Sequence, residues 1–391
     1  MTRKEFLRMC GLLGIGMPLQ GLVSSCGKDP IIPIDPTSSS EQVIIIGAGP
    51  AGMTAAYLLN QQGIEAPILE ANSTYGGRIR RNLDFADFPI PLGAEWLHVE
   101  RGIFDEIVND SSVNVDIATT PYDLENDVAL YEGNEVSVED IGFTVDQKFI
   151  SSSWLDFFDE YVVPTISGQF NFNQVVQAID YSGDQVVIKT ADQEYTAQRV
   201  IITVPVKILQ NGAITFTPAL PDSKQKAIDK VTVWDGCKAF IEFSEKFYPT
   251  MVGFDISPES DGQKLYYDAA YGQNTNQHIL GLFAVGTGTL PYVELSDADR
   301  IDYMLTELDD LFDGQATPNY KKHLFQNWNE EPFANGAYVY DYENWLRLRQ
   351  LGESVDGKLF FAGDAYTDGF DWSSVHAAAR SAISAVSELV G

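Results

Sequence analysis

Residues 42–52, Gln42-Val43-Ile44-Ile45-Ile46-Gly47-Ala48-Gly49-Pro50-Ala51-Gly52, carry the reading from which the fold follows. The run 42–46 is dominated by β-branched residues without alternation, the pattern of a strand covered on both faces. It opens into glycines at Gly47, Gly49 and Gly52, then into a helical pattern through Ala55, Ala56, Leu58 and Leu59 that stops at Gly63. A second strand is expected over 66–69, with Glu70 at its end. Each part has a task in binding a dinucleotide. Gly47 permits the tight turn, Gly49 lets backbone approach a pyrophosphate, and Gly52 lets the helix lie close to the strand. Unpaired N–H groups at the helix N-terminus face the phosphates. Glu70, 23 residues after Gly47, is placed to accept hydrogen bonds from a ribose. An acid there disfavours a 2′-phosphate, so NAD or FAD fits and NADP does not.

The rest of the chain bounds what such a site can serve. The 391 residues, 45% hydrophobic and 21% charged, describe a globular chain of two or three domains. Its 25 Lys and Arg against 56 Asp and Glu give a formal charge of −31. That balance excludes a binder of nucleic-acid phosphates and suits cationic small molecules drawn toward negative clefts. With three cysteines no disulfide framework organises the fold, and no metal site is expected. Arg3, Lys4 and Arg8 precede a short apolar stretch over 11–23, followed by Val23-Ser24-Ser25-Cys26. This layout is that of a cleaved export signal, too short for a membrane span. Residues 27–40, rich in Pro and Ser, read as a tether.

Three resemblances sharpen this. Val23-Ser24-Ser25-Cys26 resembles the lipobox of bacterial lipoproteins, which implies export and membrane anchoring through a lipidated Cys26 on the periplasmic or outer-surface side. Residues 2–8 are similar to a twin-arginine export motif, with Lys4 in the place of the second arginine. Glu70-Ala71-Asn72-Ser73-Thr74-Tyr75-Gly76-Gly77-Arg78 resembles the extended fingerprint of the FAD-dependent amine oxidase family. The resemblance implies FAD as cofactor, backbone at Gly76 and Gly77 near its diphosphate, and Arg78 neutralising that charge.

The same family resemblance continues downstream. Pro91-Leu92-Gly93-Ala94-Glu95-Trp96-Leu97-His98 is similar to the segment passing under the flavin, implying Ala94, Glu95 and Trp96 at the cofactor and His98 toward the amine. Residues 172–197, with alternating runs at 185–189 and 194–196, read as a β-meander, and the resemblance places the adenine near Val176. Residues 199–205 look like the return strand to the FAD sheet. Residues 238–243 alternate as a strand, and the family's lysine at the place of Lys238 projects toward flavin N5. A cation there would stabilise charge developing on O₂ during reoxidation.

Residues 327–338 are close to a monoamine-oxidase segment. This implies Tyr338 as one wall of an aromatic cage and Trp328 near the cofactor. Ala337 replaces the flavin-attaching cysteine, so FAD is expected to be non-covalent. Lys358-Leu359-Phe360-Phe361-Ala362-Gly363-Asp364 resembles the final FAD strand, with Gly363 and Asp364 at the ribityl chain or diphosphate and Asp where Glu is usual. Val375-His376-Ala377-Ala378 opens the last helix, whose N–H groups near Val375 would face the flavin. Trp372 is the nearest candidate for the second cage wall, and His376 departs from the family pattern without an assigned role. Ser153-Trp154-Leu155-Asp156 reads as a capping box opening a helix through Tyr161.

The implied fold is α/β. A Rossmann-like FAD-binding domain from 41–100, 167–230 and 325–391 is interleaved with a smaller mixed-sheet α+β substrate domain from 101–166 and 231–324. Residues 1–25 form a signal peptide and 26–40 a lipid-anchored linker. The implied reaction is oxidation of a mono- or polyamine to an imine by hydride transfer to flavin N5, with O₂ regenerating the flavin and yielding H₂O₂. Two other readings share part of this evidence: a desaturase-like flavoprotein acting on a C–C bond, and a lipoprotein that binds FAD or an amine without turnover.

Overall fold

Strand Val43–Ile46 lies at the middle of a five-stranded parallel sheet, in the order Phe170–Asn171, Ile68–Leu69, Val43–Ile46, Arg199–Ile202, Leu359–Phe361. The computed structural model describes residues 42–123, 127–132, 135–139, 143–254, 261–340 and 344–391. The expected export signal, Cys26 and the linker lie outside the described residues.

The unbroken apolar run is explained by what covers each face. Val43 and Ile45 join one core with Met53 and Leu59 of helix Pro50–Gln61 and Ala379, Ala382 and Val386 of helix Val375–Val390. Ile44 and Ile46 join the opposite core with Val200, Ile202, Leu359 and Phe361. Successive side chains of a strand alternate faces, so only a sheet buried on both sides demands four aliphatic residues in a row. Each contributes roughly 1.5–3 kcal/mol on burial. The expected meander is present as Val176–Asp180, Val186–Thr190 and Glu194–Ala197, extended by a parallel strand Thr215–Thr217. The helix expected from the capping box is present as Trp154–Tyr161, with the Ser153 hydroxyl as N-cap accepting from the Asp156 N–H and donating to the Asp156 carboxylate.

A seven-stranded mixed sheet runs Tyr320–Asn327, Gly236–Phe243, His278–Gly286, Gly262–Asp268, Met251–Phe254, Val128–Glu132, Glu135–Glu139. Alternation in Gly236–Phe243 divides its faces. Cys237, Ala239, Ile241 and Phe243 bury against helix Asp297–Leu311 through Met304 and Leu308, whereas Phe240 turns to a second core with Trp96 and Tyr267. Strand Tyr320–Asn327 crosses the boundary expected at residue 325 and pairs throughout with Gly236–Phe243. A boundary drawn between motifs cannot see a strand whose partner is some eighty residues away. A three-stranded sheet, Trp96–Leu97 with Phe143–Phe149 and Thr119–Asp123, ties the segment after the glycine turn to the chain beyond residue 101.

One buried cation locks helix Asp222–Lys230 to the sheet. The Lys224 ammonium donates to the carbonyls of Leu351 (2.6 Å) and Gln350 (3.2 Å) at the end of helix Trp345–Gly352, and it lies 3.7 Å above the Phe361 ring. Burial pushes its pKa down to about 7, against the opposing pull of Glu353, whereas in the unfolded chain the proton is held to about 10.5. Between those values the unfolded state binds more protons than the folded one, so stability rises with pH. Lys224→Met removes this term. Urea unfolding at pH 7 and pH 9 should show the stability difference moving in favour of the wild type by about 2 to 3 kcal/mol. An unchanged difference would show that the lysine keeps its proton in the fold.

Candidate active site

The carboxyl ends of the parallel strands open into a cleft of about 350 Å³ that extends beneath the seven-stranded sheet. At its first end the backbone dictates the shape. Gly47 has φ 104°, and a Cβ there would stand 2.6 Å from Thr203 Oγ1. A Cβ on Gly52 would stand 1.9 Å from the Gly47 carbonyl oxygen, so any larger residue would push the helix off the strand. Gly49 is different. A Cβ there would meet no described atom within 4 Å, yet Gly49 lines the cleft. Packing within the protein does not require that glycine. Helix Pro50–Gln61 starts at Gly49 with no side-chain cap and no acid in its first turn, which leaves its N–H groups for an anion.

Glu70 is buried and accepts from the N–H groups of Ala48 (2.6 Å) and Asn72 (2.8 Å), so the acid braces the glycine turn from the next strand. Ala71, Gly77, Ala94 and Val176 also line this end. The ladder slips register between Val176 and Ala178, taking that backbone out of regular pairing. Arg78 makes a two-pronged contact with Asp364, at 2.5 and 3.1 Å, and also donates to the Ala337 carbonyl. Two residues expected at the diphosphate thus hold each other, joining segments 286 positions apart. Gly363, with φ 152°, donates its N–H to Ser381 Oγ at 2.7 Å on the last helix. Val375 begins that helix, whose N-cap Ser374 accepts from the Ala377 N–H.

The other end is built from side chains. Lys238 lies in the cleft floor, buried, and donates to Glu95 Oε2 (2.6 Å), Pro91 O (3.1 Å) and Gly93 O (3.2 Å). All three ammonium protons are engaged, with the Trp96, Phe240 and Tyr267 rings within 5.5 Å. Glu95, expected at the cofactor, also lines the cleft. Its carboxylate is taken by Lys238, Lys148 and the Tyr267 hydroxyl, so it holds lysines in place. Burial alone would raise the Glu95 pKa, but the two lysines hold it at about 2. Burial lowers the pKa of Lys238, and Glu95 opposes that. Trp328 donates its indole N–H to Leu92 O at 2.8 Å, fixing the loop that carries Gly93.

Tyr338 lines the cleft with its ring 6.2 Å from Trp234, and His98 lines it with Nδ1 held by Asp146 Oδ1 at 2.9 Å. Trp372 is corrected. It does not line the cleft but packs, partly buried, against the core that holds Val200 and Phe361, and Ser373, Ser374 and Val375 form the cleft wall at that point. Phe283 also reaches the wall, edge-on to Trp96 at 5.7 Å and opposite Lys238 in register. Sequence reasoning missed Phe283, Lys148 and Asp146. Phe283 could have been sought once Gly236–Phe243 was given a partner; no local pattern marks the other two. Cys237 also borders the cleft, but burial pushes its thiol up to about 12, so it offers no nucleophile.

With this geometry in hand, comparison with known proteins is direct. Residues 160–390 match the family model described as flavin containing amine oxidoreductase, and residues 45–107 match an NAD(P)-binding Rossmann-like domain. The chain is 25% identical to lysine-specific histone demethylase 1B of Mus musculus over 83% of its own length and 50% of the demethylase. The chain therefore spans about half the length of that relative. It is 24% identical to probable polyamine oxidase 4 of Arabidopsis thaliana, covering 83% of this chain and 82% of that one. Among solved structures it shares the fold of a putrescine oxidase bound to putrescine, with TM-score 0.73, 14% identity, and coverage of 90% and 99% of the two chains. Cyclohexylamine oxidase from Brevibacterium oxydans IH-35A gives TM-score 0.71, 16% identity, and coverage of 90% and 100%.

The buried cluster yields a test of its own. Glu95→Gln leaves two ammonium groups in a dry site with no counter-charge, and urea unfolding at pH 7 should show a loss of about 3–5 kcal/mol. Lys148→Met in that background should recover part of it. Because the Glu95 pKa is depressed in the fold, its contribution is fully present above about 4.5 and fades as pH falls toward about 2. The penalty should therefore shrink on acidification below 4.5. Additive losses in the double variant would show that the lysines do not share the carboxylate.

Proposed function

The chain belongs to the family of flavin-containing amine oxidoreductases, and from that premise we propose that it binds FAD without a covalent link and oxidises an amine to an imine. The observation that carries the reading is one continuous cleft, with a glycine turn and open helix N-terminus at one end and Lys238, Tyr338, Phe283 and His98 at the other. The residues present fit the cofactor. Gly49 has no packing reason to be glycine, the first helix turn is uncapped, and Ala337 offers no attachment atom.

When bound, FAD supplies the acceptor for the hydride leaving the amine α-carbon. The chain's own residues do the rest. The 47–52 turn and helix N-terminus hold the diphosphate, Glu70 receives the ribose hydroxyls, and the Arg78–Asp364 pair closes the middle of the cleft. Tyr338 and Phe283 wall the amine away from water and orient it, which favours the neutral, reactive form. His98, backed by Asp146, accepts the proton that an ammonium substrate must shed. Lys238 places a fixed cation in the cleft floor, where it favours electron uptake by O₂. The acidic surface draws cationic amines toward the cleft.

We further propose export and tethering through Cys26. The order of basic start, apolar stretch and Val-Ser-Ser-Cys supports this, and no helix among the described residues is long and apolar enough to cross a membrane.

The purified full chain should carry a flavin spectrum that bleaches anaerobically with at least one of putrescine, spermidine, cyclohexylamine and benzylamine. Binding of one of these without bleaching would overturn the oxidase reading. Expressed in a bacterium, the protein should take up labelled palmitate and sediment with membranes. Cys26→Ser should abolish both, and membrane association that survives the substitution would remove the anchor from this proposal.

A further inference from the structure

His98 has a neighbour that the reading above does not use. His376, in the first turn of helix Val375–Val390, is 1% exposed, and its ring centre lies 6.4 Å from that of His98 with the planes inclined by 65°. Its Nε2 contacts Asp371 Oδ2 at 2.7 Å and Ser374 Oγ at 3.1 Å. Its Nδ1 is buried and has no hydrogen-bond partner among the described residues. A buried polar atom left unpaired costs about 1–3 kcal/mol, so a purely structural histidine here would be poorly placed. The ring separation suits a hydrogen bond bridged by one water. Asp371 is partly exposed, at 26%, and lies 3.8 Å from Arg380, which itself donates two hydrogen bonds to Glu106 at the surface. From the cleft outward the titratable groups run His98, His376, Asp371. Asp146 flanks them on the strand beside His98, and Arg380 and Glu106 flank them at the outer end.

We propose that His376 and Asp371 form a proton outlet that carries the substrate's ammonium proton from His98 to solvent. The proposal rests on the amine-oxidation reading, because only the neutral amine can lose a hydride. In the step, one N–H bond of R–CH₂–NH₃⁺ breaks, its electron pair stays on nitrogen, and the proton passes to His98 Nε2. From there it moves through water to His376 Nδ1, while the proton on His376 Nε2 leaves by way of Asp371. No electron moves. His376 does not line the cleft, and it acts through His98 as a positioning and relay residue.

The test uses holoenzyme and whichever of putrescine, spermidine, cyclohexylamine and benzylamine reduces the wild type fastest. Flavin reduction and proton release to a pH indicator are followed together in weakly buffered stopped-flow experiments from pH 6.5 to 10.5. Both His376→Gln and Asp371→Asn should slow proton release and reduction by at least about 10-fold at the low-pH end, where the amine arrives as ammonium. Toward pH 10.5, as the neutral fraction of the amine grows, the loss should shrink to no more than about 3-fold. Added imidazole should restore part of the rate at low pH. The Asp371 variant, at a partly exposed position, keeps the test decisive if the buried His376 variant fails to fold. Equal losses at all pH values, or wild-type proton release in both variants, would overturn the outlet while leaving the oxidase reading intact. A wild-type flavin reduced by no amine would overturn both.

Discussion

The carboxylate of Glu95 is where the architecture is joined. It sits just before strand Trp96–Leu97, and it is met by Lys148 from the paired strand Phe143–Phe149, and by Lys238 and Tyr267 from two strands of the seven-stranded sheet. Two cations on one anion, all buried, leave an excess positive charge in a region of low dielectric. Such a cluster is weak evidence for stability, since well-packed apolar groups would serve as well. Its effect is geometric. Lys238 has no freedom to turn away, because each of its three protons already has an acceptor. The cation in the cleft floor is fixed by the same contacts that hold the sheets together, and that is what a preorganised electrostatic site requires.

The two ends of the cleft were unequally legible in the sequence, for a physical reason. The dinucleotide end is made of backbone: a turn that needs positive φ at Gly47, a contact at Gly52 that tolerates no Cβ, and a helix that begins uncapped. Such demands fall on residues within a few positions of one another, so they leave a local pattern. The alternation of faces around Val43–Ile46 is similarly local, and it carried the sheet. The amine end is made of side chains brought together by pairing across the mixed sheet. Phe283 stands opposite Lys238 only because His278–Gly286 pairs with Gly236–Phe243. Lys148 meets Glu95 because residues 96–97 pair with 147–148. Neither register has a sequence signature. Trp372 shows the converse: it is the nearest aromatic in sequence to the expected second wall, yet it packs against the core while its neighbours Ser373 and Ser374 line the cleft.

This difference bears on how such a site can change. A Cβ 1.9 Å from a carbonyl oxygen cannot be accommodated by substituting its neighbours, so Gly52 has no compensating partner. Charge clusters do have partners. Glu95 is tenable in a buried site because Lys148 and Lys238 both reach it, and either lysine would be costly without the acid. The same holds for Arg78 and Asp364, which meet through both carboxylate oxygens although the acid carries one methylene fewer than the glutamate that the family resemblance implies there. The cofactor end is therefore held by sterics that act one residue at a time, and the amine end by pairs that must change together. A relative with a different residue at Glu95 should also differ at Lys148, whereas its glycine turn should read as it does here.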